Sequence, residues 1–151
     1  MANLVKVKVD GKEVSLEPGK NLLSELRRVG YDVPGLCYYE KVSPTGSCRL
    51  CIFKKKGAPK FETSCTTVVT EGLDIELFTE EIEEYRKGVL NLILADHKHD
   101  CMTCEKSGDC ELEALAYRYQ IDLNSEIYPN IYDKTLPLED SSPAFIYDPQ
   151  K

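Results

Sequence analysis

The sequence predicts an α+β chain: a small mixed sheet carrying one packed helix, then a short helical region, then an extended tail. Three observations predict it. Apolar and charged residues alternate in short runs over the first half, helical spacing takes over at Thr79, and the last stretch is interrupted by Pro129, Pro137, Pro143 and Pro149.

The elements follow in order. "LVKVKV" at residues 4–9 alternates apolar residues with lysine, the pattern of a strand with one wet face. Asp10-Gly11 is a hairpin turn signal, and residues 12–16 return as a second strand. After Pro18-Gly19, "NLLSELRRVG" reads as a helix. Asn21 is its N-cap, Leu22, Leu23, Leu26 and Val29 form one apolar face, and Gly30 supplies a left-handed stop. Residues 31–51 read as a long loop. "CIFKKKG" and "FETSCTTVV" read as short strands around a lysine turn, and "LDIELF" as one more. Strand, strand, helix, loop and further strands is the element order of a β-grasp. From Thr79, an N-cap, "TEEIEEYRKGVLNLILADH" places acids in its first turn and Ile82, Tyr85, Val89 and Ile93 at helical spacing. Asp109 is expected to cap a last helix running to about Tyr119. The expected domains are residues 1–78, 79–120 and an extended tail, 121–151. A long structureless tail inside a compact domain is uncommon, so the tail is expected to run along this protein or a partner. Its Tyr128, Tyr132, Phe145 and Tyr147 suit a docking segment.

Composition excludes several function classes. The net charge is −7, with 12 Lys/Arg and 6 Asp/Glu in residues 1–60 against 7 and 20 in residues 61–151. An acidic chain is a poor nucleic-acid binder, because phosphate contacts need cations. The charge asymmetry suits two units and can steer a charged protein partner. No apolar run approaches the roughly 20 residues of a membrane helix, and Lys6 and Lys8 stand where a signal peptide needs its apolar core. A cytoplasmic protein without membrane insertion is the expectation. "VDG" and "EPGK" are turns rather than nucleotide-binding loops, and no residue is assigned a catalytic role.

Seven cysteines in a reducing compartment argue for metal ligation over disulfides. Cys37, Cys48, Cys51 and Cys65 are spaced C-x10-C-x2-C-x13-C, with Gly46 and Ser47 able to bring backbone N–H groups close to whatever is bound. A [2Fe–2S] cluster needs such N–H donors on its sulfurs; tetrahedral zinc also accepts four thiolates, though zinc sites usually bring two close pairs. Cys101, Cys104 and Cys110 form a second set, with His97 and His99 just ahead. Three thiolates and one imidazole suit either a cluster or zinc. His97 stands at the end of a helix that can hold it, whereas His99 is very near Cys101. Each histidine taken singly reads as an ordinary surface residue.

Both ligand sets, in this order, resemble the N-terminal region of the large iron–sulfur subunit of NADH dehydrogenase (complex I), shared with iron-only hydrogenases and NAD-linked formate dehydrogenases. "GLCYYEKVSPTGSCRLC" followed by Cys65 is similar to that family's [2Fe–2S] motif. "LILADHKHDCMTCEKSGDCELEALAYRY" is similar to its [4Fe–4S] motif. The resemblance covers nearly the whole chain. It implies a plant-ferredoxin-like β-grasp followed by a small helical [4Fe–4S] domain and an extended C-terminal tail. It implies that Cys37, Cys48, Cys51 and Cys65 bind one [2Fe–2S] cluster, and that His97, Cys101, Cys104 and Cys110 bind one [4Fe–4S] cluster; His99 receives no role. The chain stops at Lys151, before the family's further cysteine motifs and catalytic domain, so the resemblance carries over electron transfer alone. The implied partners are an FMN- and NADH-binding iron–sulfur subunit, a thioredoxin-like [2Fe–2S] subunit and a terminal oxidoreductase such as a hydrogenase. A free-standing module suits a soluble NAD(P)H-linked complex of several subunits, the electron-bifurcating kind included. The rival expectations are an N-terminal piece of a larger catalytic chain and a zinc-binding interaction module.

Overall fold

The computed structural model describes residues 4–97, 101–122 and 137–147. Two compact units divide within one helix, at Val89/Leu90.

The first unit is a five-stranded mixed sheet with a helix against it. Strand β1 (Val5–Val9) pairs antiparallel with β2 (Lys12–Leu16), Val7 opposite Val14. The turn between them works because Asp10 and Gly11 both adopt positive φ, 48° and 79°. Two such residues in succession match the twist of a two-residue hairpin. Asp10 does more than turn: its carboxylate accepts the Leu77 N–H at 2.7 Å. That bond ties the hairpin to the end of β5 (Asp74–Glu76), which lies parallel to β1. Strands β3 (Ile52–Lys55) and β4 (Phe61–Thr63) complete the sheet in the order β2-β1-β5-β3-β4. This is the predicted β-grasp. Val7, Val9, Leu16, Phe53, Ile75 and Leu77 point into one core with Leu22, Leu23 and Leu26 of helix α1 (Leu22–Arg28), and Cys51 and Cys65 belong to that same core.

Helix α1 begins where predicted. The Asn21 side chain accepts the Ser24 N–H at 3.2 Å, and Gly30 (φ 95°) takes the left-handed stop. No local pattern singles out Glu25, yet it is 5% exposed. It accepts two hydrogen bonds from Arg28, at 2.8 and 2.7 Å, and the Glu17 N–H at 2.7 Å. The Arg28 hydrogen bond, together with that N–H and the neighbouring cations, outweighs burial and holds its carboxyl below the usual glutamate range. A depressed folded pKa contributes stability above the unfolded value, and that stability is lost as pH falls through the folded value. Glu25→Gln should therefore cost about 1–2 kcal/mol at pH 7. The deficit should narrow on acidification below about pH 4.5. Urea titrations of both proteins at pH 7 and pH 3 check this; an equal deficit at both would contradict the assignment.

Three expectations are corrected. The "FETSCTTVV" strand stops at Thr63, and Cys65 sits in a 3₁₀ turn (Ser64–Thr66), not on a strand. Thr63 Oγ1 and Thr66 Oγ1 lie 2.6 Å apart, and the hydroxyls of Thr66 and Thr67 both donate to the Thr63 carbonyl, so side-chain hydroxyls end the strand locally. Helix α2 (Glu80–Ala95) starts at the predicted cap: the Ile82 N–H meets Thr79 Oγ1 at 3.4 Å. Its buried line, however, is Ile82, Arg86, Leu90 and Leu94, while Tyr85 is exposed against Phe61. A charged residue, Arg86, occupies the second position of this line, so hydrophobicity alone does not mark it. Finally, helix α3 (Glu111–Arg118) is capped at Cys110, not Asp109. Its Glu113 reaches back to the Gly108 N–H at 2.9 Å, which serves the first turn as a capping glutamate does.

Of the tail, Tyr128 and Tyr132 lie outside the described residues. Glu139 and Tyr147 exchange a pair of backbone hydrogen bonds of 2.9 Å, and Phe145 and Tyr147 are exposed. Among the described residues, no helix is long and apolar enough to cross a membrane.

Candidate metal centres

The first four cysteines arrive from two directions. Cys37, Cys48 and Cys51 come from the long loop that follows α1; Cys65 comes from the 3₁₀ turn after β4. Gly46, buried with φ 64°, lets the loop press on that turn: a Cβ there would stand 3.2 Å from Thr66 Cγ2. Gly35 makes a second close approach, where a Cβ would lie 3.3 Å from an Arg27 nitrogen and 3.8 Å from Cys51 Cβ. Arg27 in turn donates twice to the Val33 carbonyl, at 3.1 and 2.9 Å. Asn21 serves both ends of this arrangement, since while its oxygen caps α1 its amide nitrogen donates to the Cys65 carbonyl at 2.6 Å. Beside Cys37, the Tyr38 hydroxyl meets Ser24 Oγ at 2.6 Å.

The thiols themselves are addressed by main-chain donors. The Cys48 N–H lies 3.4 Å from Cys37 Sγ, and the Leu36 N–H 3.4 Å from Cys48 Sγ. Burial pushes the Cys37 thiol up, but donors at Cys48, Thr45 and Ser47 outweigh it and hold it below the usual thiol value. Burial dominates at Cys48 and raises it. Burial, reinforced by Cys51, Cys37 and Cys48, pushes Cys65 up to about 12. All four sulfurs are thus near enough to feel one another. They also divide into two kinds: Cys51 and Cys65 are buried in the core, while Cys37 and Cys48 are half-exposed.

The second set lies within the other unit. Cys101 opens a 3₁₀ turn (Cys101–Thr103), the Cys104 N–H bonds the Cys101 carbonyl at 3.2 Å, and the Lys106 N–H lies 3.5 Å from Cys104 Sγ. Cys110 stands at the N-terminus of α3, where unpaired N–H groups favour an anion. Burial raises the Cys101 thiol, followed by the charges of Glu113, Cys104 and Cys110. Cys104 and Cys110 are thus close enough for their charge to act on Cys101. His97 is half-buried just past α2, its N–H bonded to the Leu94 carbonyl at 3.0 Å. Its ring makes no hydrogen bond to the three thiols among the described residues. His99 lies outside them.

The donor chemistry fits iron–sulfur clusters. Both sets supply soft sulfur donors, and main-chain N–H groups lie within hydrogen-bonding reach of the Cys37, Cys48 and Cys104 sulfurs, the feature that stabilises sulfur-borne negative charge. Among the described residues, no three thiol, imidazole or carboxylate side chains close on a single-ion position. Arg27, Asn21 and the two close-packed glycines complete the first site. Of these, Gly46 is legible in the sequence as a site residue and Asn21 only as a helix cap; Gly35 carries a local signal next to Pro34, and Arg27 carries none.

Comparison with known proteins gives the same division. Residues 2–80 match the model of the 2Fe-2S iron–sulfur cluster binding domain, and residues 86–124 match the NADH-ubiquinone oxidoreductase-G iron–sulfur binding region, a 4Fe-4S model. A subunit of the NADH-quinone oxidoreductase of Rhizobium meliloti is 34% identical over 116 residues, covering 77% of this chain and 14% of that protein. The mitochondrial NADH-ubiquinone oxidoreductase 78 kDa subunit of Candida albicans is 34% identical over 118 residues, covering 78% and 16%. The chain spans about one-seventh of the length of these curated relatives. In the crystal structure of an NAD+-reducing [NiFe]-hydrogenase in the H2-reduced state, a chain 29% identical superposes with a TM-score of 0.80 over 92% of this chain and 57% of that one. The β-grasp and the two cysteine sets thus lead to one conclusion: the chain belongs to the family of 2Fe-2S iron–sulfur cluster binding domains, followed here by a [4Fe–4S]-binding region of the NADH-ubiquinone oxidoreductase-G type.

Proposed function

We propose that the protein is an iron–sulfur electron-transfer subunit that relays electrons between an NADH- and FMN-binding iron–sulfur subunit and a terminal oxidoreductase such as a hydrogenase. The observation that carries this reading is the pair of cysteine sets, with main-chain N–H groups against the Cys37, Cys48 and Cys104 sulfurs, on a chain similar to subunits of NADH-quinone oxidoreductases and an NAD+-reducing hydrogenase. Cys37, Cys48, Cys51 and Cys65 hold the [2Fe–2S] cluster; His97, Cys101, Cys104 and Cys110 hold the [4Fe–4S] cluster. When bound, the two clusters supply one-electron redox chemistry at potentials that ligand charge, hydrogen bonds to sulfur and solvent exposure set.

The chain's own residues do the rest. Cys51 and Cys65 anchor one side of the first site in the dry core, and the half-exposed Cys37 and Cys48 turn the other side towards solvent and a partner. The Leu36 and Cys48 amides lie against the exposed pair, so their dipoles favour added negative charge there. Residues 1–78, 79–120 and 121–151 act respectively as [2Fe–2S] domain, [4Fe–4S] domain and docking tail. A thioredoxin-like [2Fe–2S] subunit, an electron-bifurcating complex and a cytoplasmic setting complete the reading. Iron and acid-labile sulfide analysis of anaerobically purified protein tests its basis. About six irons per chain are expected, with sulfide to match. Two zincs without sulfide would make the chain a zinc-stabilised interaction module instead.

A further inference from the structure

We propose that Arg86 is a positioning residue for the [2Fe–2S] site, fixing the main-chain geometry that aims the Cys51 thiol. The inference rests on the assignment of Cys51 as a ligand. Arg86, on α2, is fully buried. Its Nε donates to the Leu50 carbonyl at 2.9 Å and its Nη2 to the Ile52 carbonyl at 2.8 Å, the two carbonyls that flank Cys51 in the chain. The carbonyl of Cys51 itself accepts from the Ser64 N–H at 3.0 Å and from Ser64 Oγ at 2.8 Å. Three successive peptide units are therefore fixed, two by one guanidinium and the middle one by the residue preceding Cys65. Because a trans peptide points its N–H opposite to its C=O, the Cys51 and Phe53 amides are held facing away from Arg86.

An apolar side chain would satisfy the stripe formed by Ile82, Leu90 and Leu94 at far lower desolvation cost. The arginine has counter-charge: Nη1 meets Glu83 Oε1 at 2.5 Å, and the Phe78 ring lies 5.3 Å from the guanidinium carbon. Each of its three nitrogens thus has a partner, a pattern that a rigid planar fork provides and the point charge of lysine does not. The demand for arginine comes from the ligand-bearing segment that leads into β3 rather than from helix packing.

The test uses three variants of the full, cluster-loaded chain: Arg86→Met, Arg86→Lys and Ile82→Ala. The last opens a buried site one turn earlier on the same helix. Melting temperature, release of [2Fe–2S] iron to a chelator and the reduction potential of that cluster are measured for each. Arg86→Met should release iron roughly 10- to 100-fold faster than wild type, the usual effect of removing a group that orients a ligand. Its potential should fall, since a nearby cation that favours the reduced state is gone. Arg86→Lys should recover the potential more fully than the release rate, because it keeps the charge and loses the fork. It also carries the test if Arg86→Met does not fold. Ile82→Ala should melt lower and release iron at the wild-type rate. Equal release from Arg86→Met and wild type, or release that simply follows melting temperature across all variants, would overturn the inference. A wild-type chain that takes up no [2Fe–2S] cluster would refute the ligand assignment instead. Hydrogen exchange at the Cys51 and Phe53 amides then decides the clamp, which requires faster exchange in Arg86→Met and not in Ile82→Ala.

Discussion

Replacing Cys51 by Ala should leave a folded chain that keeps its [4Fe–4S] cluster and loses its [2Fe–2S] cluster outright. Cys51 is 1% exposed and packs in the core, so the substitution removes one sulfur from a close-packed site. The cost to the fold is about 1 kcal/mol, small beside the stability of a domain. The cost to the site is of another order. Cys51 and Cys65 form its buried side, where water cannot enter to supply a replacement ligand. Iron should drop from about six to about four per chain, with the [2Fe–2S] EPR signal gone and the [4Fe–4S] signal unchanged. Cys37→Ala should be milder, since the half-exposed Cys37 leaves its vacated position open to solvent or added thiol. The comparison separates ligation from packing, because a purely structural Cys51 would lower the melting temperature and leave the iron count alone. Full iron content in Cys51→Ala would remove this residue from the ligand set.

The first unit was legible in sequence wherever one local rule acted alone. Alternation marked β1 and β2, Asp10-Gly11 marked their turn, and Asn21 with Gly30 bracketed α1. Each of these depends on residues no more than a few positions apart. The misreadings have two origins, side chains nearby that override a local pattern and partners distant in the chain. Cys65 reads as part of a β-run because threonine is a common strand residue, and here the hydroxyls of Thr66 and Thr67 turn back on the Thr63 carbonyl and end the strand. Arg86 donates to the Leu50 and Ile52 carbonyls, 36 and 34 positions earlier, and nothing in its own helix marks those partners. Omitting it tilted the apolar face of α2 towards Tyr85, which is exposed. Asn21 was identified as a cap, yet its second hydrogen bond, to the Cys65 carbonyl, spans 44 positions and leaves no local trace. The cysteine sets were the opposite case. Their residue type is scarce and their spacing selective, so the ligands were nameable before the loops that bring them together.

His97→Ala should abolish the [4Fe–4S] cluster and leave the [2Fe–2S] cluster intact, whereas His99→Ala should alter neither. His97 follows α2 directly and is tied to its last turn through the Leu94 carbonyl, so its backbone is fixed before any metal arrives. Burial, then the charges of Glu113, Cys104 and Cys110, raise the Cys101 thiol, and on the proposed assignment Cys37, Cys48, Cys51 and Cys65 serve the other unit, so the second set has three thiols and needs a fourth ligand of another kind. An imidazole is the neutral ligand that completes such a set without adding charge. That neutrality gives a second, sharper expectation. His97→Cys should keep the cluster and lower its potential, on the order of 100 mV, because a thiolate adds one negative charge that opposes reduction. Iron counts, EPR on the reduced protein and a potentiometric titration measure all three variants. An intact [4Fe–4S] signal in His97→Ala would pass the fourth position to another group. A His97→Cys cluster at the wild-type potential would show that the histidine does not touch iron, whatever its effect on the fold.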